Sequence, residues 1–185
     1  MAQLNLTGSF PGVGPVIFRL NPDVESLGVI EELDNFVDGT LDLPPFTTRG
    51  TADSFFDVFF EVEVPSLNLT LRNRIPSRVQ TTIANKPPDQ GAEYLKVNGP
   101  IALYDQNGNV AATLLKVQHR PSDHFVEHDH FEDTEAKITL IDPLGVAQVI
   151  SLSGPTWVDV WFETREGQAL DNDGNNLDEV MTRMV

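Results

Sequence analysis

The stretch Ser54-Phe55-Phe56-Asp57-Val58-Phe59-Phe60-Glu61-Val62-Glu63-Val64 carries an apolar side chain at Phe56, Val58, Phe60, Val62 and Val64, with Asp57, Glu61 and Glu63 between them. A period of two belongs to a strand, because successive side chains of a pleated backbone point to opposite faces. The stretch therefore reads as a strand with one buried face. Phe55 and Phe59 interrupt the polarity of the other face, which predicts partial cover there.

The same period recurs outward from this segment. Leu67, Leu69 and Leu71 alternate with Asn68, Thr70 and Arg72, and Val158, Val160 and Phe162 alternate with Trp157, Asp159, Trp161 and Glu163. Shorter strand candidates cover residues 4–7, 16–20, 78–83, 94–97, 101–104, 110–117, 136–141 and 147–152. Turn chemistry separates them: Asn107-Gly108 favours positive φ and predicts a hairpin, and Pro87-Pro88, Asn98-Gly99-Pro100, Asp142-Pro143 and Gly154-Pro155 are further breakers. About ten short strands at this spacing predict an all-β domain over residues 1–185, an antiparallel β-sandwich or jelly-roll-like barrel. At most one or two short helices are expected. One would follow the cap-like Asn21-Pro22-Asp23, with an extended reading almost as good, and the other would cover residues 177–184.

Composition narrows the function. The chain has 28 acidic against 12 basic residues, a net charge of -16. That field repels nucleic acid backbones and anionic membrane surfaces and attracts cations. The absence of cysteine removes thiol nucleophiles, iron–sulfur clusters, Cys-type zinc sites and disulfides. No apolar run approaches a membrane span, and Met1-Ala2-Gln3-Leu4-Asn5 does not read as a signal peptide. The compartment stays open on these grounds, an extracytoplasmic one requiring targeting ends outside this chain.

All four histidines fall between His119 and His130, in a segment rich in carboxylates. On an extended strand His124, His128 and His130 share a face, with Glu132 next along it, and a His-x-His pair sets two imidazoles about 7 Å apart. Neutral imidazole ligates zinc, iron, copper and nickel, carboxylates beside it also suit manganese, and Glu132 or Glu135 would complete the set or orient a ring. The plain alternative is a solvated loop or hairpin between Val117 and Ile138, whose carboxylates would raise the histidine pKa values. His128-Asp129-His130 with Glu135 resembles half of the cupin metal motif. The glycine that precedes the first histidine in cupins is absent here, and no later histidine supplies a fourth ligand.

Two other segments carry chemistry. Asp171-Asn172-Asp173-Gly174-Asn175-Asn176-Leu177-Asp178-Glu179 has the composition of a calcium loop. Asp171, Asp173 and Asn175 fit the first, third and fifth positions of the EF-hand template, whereas Asn176 replaces its glycine and Thr182 its final glutamate. A looser oxygen-ligand calcium site and a flexible polar tail are both open. Trp157 and Trp161 flank Asp159 on one strand face, as a glycan-stacking platform would, although large aromatics are more often buried. Nothing resembles a nucleophile elbow or a dinucleotide-binding glycine motif.

Residues 53–62 and 100–110 resemble segments of uncharacterised bacterial proteins, some of which bear PEP-CTERM sorting tails. The resemblance covers roughly the middle third of the chain and implies a β-rich, exported bacterial domain, with no catalytic residue transferred.

Three functions are therefore expected as alternatives. The first is a metal-binding β-domain using the histidine–carboxylate segment, catalytic if a coordination position stays open. The second is a carbohydrate- or surface-binding module with a structural calcium. The third is a structural or assembly protein that meets a protein partner without catalysis. Reaction, substrate and oligomeric state are not legible in these residues.

Overall fold

The computed structural model describes residues 3–89, 91–120, 128–141, 145–159 and 167–184, without the side chains of residues 3, 120, 128–130, 132, 157–159 and 183–184. In chain order the strands are β1 Gln3–Phe10, β2 Gly14–Leu20, β3 Ser26–Glu32, β4 Ala52–Val58, β5 Phe60–Val64, β6 Leu69–Asn73 and β7 Ser77–Ile83. They continue as β8 Tyr94–Lys96, β9 Ile101–Tyr104, β10 Val110–Arg120, β11 His128–Ile141, β12 Ala147–Asp159 and β13 Glu179–Met184. Neighbours pair antiparallel in the order β11-β12-β1-β2-β5-β6-β9-β10-β8-β7-β4-β3-β13, and β10 pairs again with β11. That last pairing closes eight strands, from β11 round to β10, into a barrel. The other five, β8 to β13 in sheet order, continue from β10 as a wing. Of the two expected all-β architectures, the barrel is the one formed.

β10 branches the sheet. Its first half, through Leu114, pairs with β9, and Gln118 and His119 pair with Leu95 and Tyr94 of β8. The alternation of apolar residues fills the inside of the ring, where Leu6, Phe18, Phe60, Leu71, Leu103, Leu114 and Ile138 are fully buried. Phe18 and Phe60 stack with ring centroids 4.3 Å apart. A second aromatic series joins wing to barrel: Phe56 of β4 meets Tyr94 of β8, and Tyr94 meets Phe131 of β11 edge to face at 5.7 Å. The Tyr94 hydroxyl donates to Ser54 Oγ at 2.9 Å, so its polar tip is satisfied inside the core.

The stretch that reads as one strand is two. β4 ends at Val58 in the wing and β5 begins at Phe60 in the barrel, with Phe59 between them. Phe59 leaves the ladder because its N–H donates to Ser26 Oγ (2.9 Å) and its C=O accepts from Asn21 N–H (2.9 Å). Asn73 fastens the same corner, with Oδ1 accepting from Phe60 N–H and Nδ2 donating to the carbonyls of Val58 and Ile75. Phe56, Val58, Phe60, Val62 and Val64 all remain buried, so the period of two survives the change of partner strands.

Both helical candidates are strands, β3 and β13, paired with each other from Glu179↔Glu31 to Met184↔Ser26. Gly28 shows why the extended form holds: a Cβ there would lie 2.5 Å from Phe55 O and 2.6 Å from Thr182 Oγ1 on the flanking strands. Among the described residues the one helical element is a 3-10 turn, Pro65–Leu67. The Asn-Gly hairpin forms as expected, with Gly108 at φ 85° and Asp105 exchanging backbone hydrogen bonds with Gly108 and Asn109. Among the described residues no helix is long and apolar enough to cross a membrane.

Candidate cation site

On the outer edge of the wing, Glu179 of β13 sits directly opposite Glu31 of β3, and Glu31 sits opposite Asp53 of β4. Like charges opposite one another destabilise a sheet by a few tenths to about 1 kcal/mol per pair. The loop preceding β13 adds another: single carboxylate oxygens of Glu31, Asp173 and Glu179 all lie within 4.8 Å of one another. Glu179 is the inner member, with 8% of its surface exposed. Its Oε2 is buried and has no hydrogen-bond partner among the described residues. Burial, and then the Asp173 and Glu31 charges, raise the Glu179 carboxyl above its ordinary value, against hydrogen bonds from Asn172 that lower it.

The loop is built to bring Asp173 there. Asp171 Oδ1 accepts the N–H groups of Gly174 (2.6 Å) and Asn175 (3.1 Å), and its Oδ2 accepts that of Asn176 (3.0 Å). Asp173 Oδ1 accepts Asn175 N–H, and Asn175 Oδ1 accepts Leu177 N–H. Asn175 Nδ2 then donates to Glu31 Oε1 at 2.7 Å, tying the loop to the sheet. Asn176 adopts φ 66°, the left-handed conformation that asparagine tolerates better than most side chains. The EF-hand template uses glycine at this position for its turn. Asn176 supplies the same backbone here, so its departure from the template is milder than its identity suggests. The carboxylates beyond the loop's start come from Glu179, nearby in sequence, and from Glu31 across the sheet, instead of from the twelfth position. Bridging hydrogen bonds between Leu170 and Glu179 close the base of the loop.

On the other face of the same two strands, a second acidic group does structural work. Glu32 is fully buried, and its two oxygens accept the N–H groups of Asp42 (3.0 Å) and Asp178 (2.9 Å). Asp42 Oδ2 caps Phe36 and Val37 N–H, and Asp178 Oδ2 accepts Gly39 N–H at 2.7 Å. These bonds fold the loop after β3 onto the start of β13 and thereby fix Glu31 and Glu179 beside each other.

The residues singled out in the sequence are placed differently. His124 and Trp161 lie outside the described residues, as do the side chains of His128, His130, Glu132, Trp157 and Asp159. Backbone register sets His128 opposite Asp159 and His130 opposite Trp157, so the histidine segment and the tryptophan segment are neighbouring strands. The ladder slips between Phe131 and Thr134, and a strict alternation from His130 to Glu135 is therefore broken. Glu135 is half-buried between Gln118 and Ser153 and is not part of the carboxylate cluster.

His119, the remaining histidine, is inside the protein. Its Nδ1 is 3.0 Å from Thr134 Oγ1, which is 2.9 Å from Thr156 Oγ1, and its ring meets Phe131 edge-on. Nε2 has no hydrogen-bond partner among the described residues. Carboxylate neighbours would raise a histidine pKa, but burial among these groups pushes that of His119 down to about 4. Desolvation is what lowers it, and among the described residues the ring's neighbours are the uncharged Thr134 and Phe131.

No protein family, curated protein or solved structure matches this chain.

Proposed function

We propose that the protein is a calcium-binding β-barrel domain in which Glu31, Asp173 and Glu179 hold the ion. The supporting observation is the buried Glu179 carboxylate, which lies beside those of Glu31 and Asp173 and whose Oε2 has no hydrogen-bond partner among the described residues. All three donors are carboxylate oxygens, which favour a hard cation, and calcium completes its six to eight ligands with waters and backbone carbonyls more readily than magnesium. A divalent ion would relieve the Glu179–Glu31–Asp53 row and fasten the loop of residues 170–178 to the wing. The role is binding and consolidation of an edge strand; no general acid, base or nucleophile is part of the reading.

Calorimetric titration with calcium, magnesium and zinc, read beside thermal unfolding, tests it. Calcium at about a hundred times its Kd stabilises a fold by about 2.7 kcal/mol, raising Tm by roughly 5–10 °C for a chain of this size. Glu179→Gln is expected to abolish that shift while leaving the metal-free Tm equal or higher, because it removes a repelled charge. Failure of calcium to bind, or a shift unchanged in Glu179→Gln, would refute the proposal. Stoichiometric zinc or copper lost in His128→Ala/His130→Ala would move the metal to the histidine segment.

A further inference from the structure

The outer face of β5, β6 and β9 carries a groove of about 650 Å3, within the range of small-ligand sites. It lies on different strands from the carboxylate cluster and is independent of it. Its lining carries paired charges of both signs, with one carboxylate more than guanidinium groups. Arg72 donates to Glu61 (3.0 and 3.3 Å) and to Asp23 (2.7 Å), while Arg19 pairs with Glu61 and Glu63. Glu61 is itself buried, its side chain 8% exposed. At one end the Arg74 guanidinium lies over the Tyr104 ring at 4.1 Å, and the Gly108 turn stands behind it. Neither Arg74 nor the Tyr104 hydroxyl makes a hydrogen bond to a described residue, and Thr70 and Gln106 add uncharged polar groups to the lining.

From this we infer that the groove is a binding site for a neutral oligosaccharide. Sugar hydroxyls both donate and accept, so they match a lining that presents carboxylate acceptors beside guanidinium donors. An aromatic ring and a stacked guanidinium give the apolar faces of a sugar a surface to lie on. A polyanion would meet Glu61, Glu63 and Asp105 in a chain of net charge -16, and a cation would meet Arg72 and Arg74. With charges of both signs present and largely paired with one another, the groove suits an uncharged, polyhydroxylated ligand better than an ion.

Amide 1H–15N correlation spectra of the whole chain, titrated with gluco-, xylo-, manno- and chito-oligosaccharides and with oligogalacturonate as the charged control, provide the test. At least one neutral series is expected to shift resonances of Thr70, Arg72, Tyr104 and Gln106. Arg74→Ala and Tyr104→Ala, checked for unchanged Tm, are expected to weaken that binding about tenfold or more. Absence of shifts with every neutral series, shifts mapping elsewhere, preference for oligogalacturonate, or wild-type binding by the variants would each overturn the inference. The mapping on the unmodified chain decides the matter even if a variant fails to fold.

Discussion

Glu32 and Asp178 are 146 residues apart in sequence, yet Glu32 Oε1 accepts the Asp178 backbone N–H at 2.9 Å in a fully buried setting. The other oxygen accepts Asp42 N–H, so one carboxylate joins three chain segments. Substituting Glu32→Gln sets an amide NH2 against one of those two N–H donors. Leaving a buried donor unsatisfied costs about 1–3 kcal/mol, and a loss of that size in urea unfolding is expected. Burial raises the Glu32 carboxyl above its ordinary value, with Asp178 and Asp42 adding repulsion against their own backbone hydrogen bonds.

Calcium binding is expected to weaken with acid. The raised Glu179 carboxyl holds a proton above the usual carboxylate range, and calcium must displace it. Without calcium the folded state binds more protons than the unfolded one between the ordinary value of 4.5 and the raised value. The stability contributed by protonated Glu179 is therefore present below that window and is lost as pH rises through it. Unfolding curves with and without calcium are expected to diverge as pH increases, and parallel curves would contradict the assignment of Glu179.

His119 gives the opposite slope. Its imidazole is neutral in the fold, with a pKa of about 4 against an ordinary 6.5. Above 6.5 neither state is protonated and the fold suffers no penalty; as pH falls from there toward 4 the unfolded chain gains a proton that the folded chain does not. The loss at the acid end is on the order of 3 kcal/mol. His119→Leu is expected to flatten this part of the stability profile, and an unchanged profile would show that other groups set it.

The corner between β4 and β5 depends on Asn73. Asn73→Ala removes three hydrogen bonds and leaves the buried Phe60 N–H and Val58 C=O without their partner. A destabilisation of about 2–4 kcal/mol is expected, measured as a lower urea midpoint at unchanged m value.

The fold class was legible because burial on alternate residues leaves a period in the sequence, and residues 54–64 show it plainly. The break at Phe59 was not, since Ser26, Asn21 and Asn73 create it from other strands while the alternation runs on. The two helical readings failed for a related reason. Apolar residues at Val24, Leu27 and Ile30 fit a helical spacing, but Gly28 and the sheet on both sides of β3 decide for a strand. Half of the candidate cation site could be read as the Asp/Asn/Gly run ending at Glu179. Glu31 carries no local signal, because only the β3–β13 register brings it there. His119 likewise looks like its neighbours in sequence and differs only in being placed against Thr134 inside the barrel.

Among the described residues β13 is the one strand of the sheet with a single partner strand, apart from the Leu170 bridge at Glu179. Closing strands into a ring removes most of a sheet's edges, so the wing's end is where another chain would add a strand. The carboxylates around Glu179 guard that end by charge, and an ion bound among them would soften the repulsion while pinning a loop across it. Calcium would then govern self-association as well as stability, and the concentration at which copies of the chain begin to zip edge to edge would depend on how much of the ion is present.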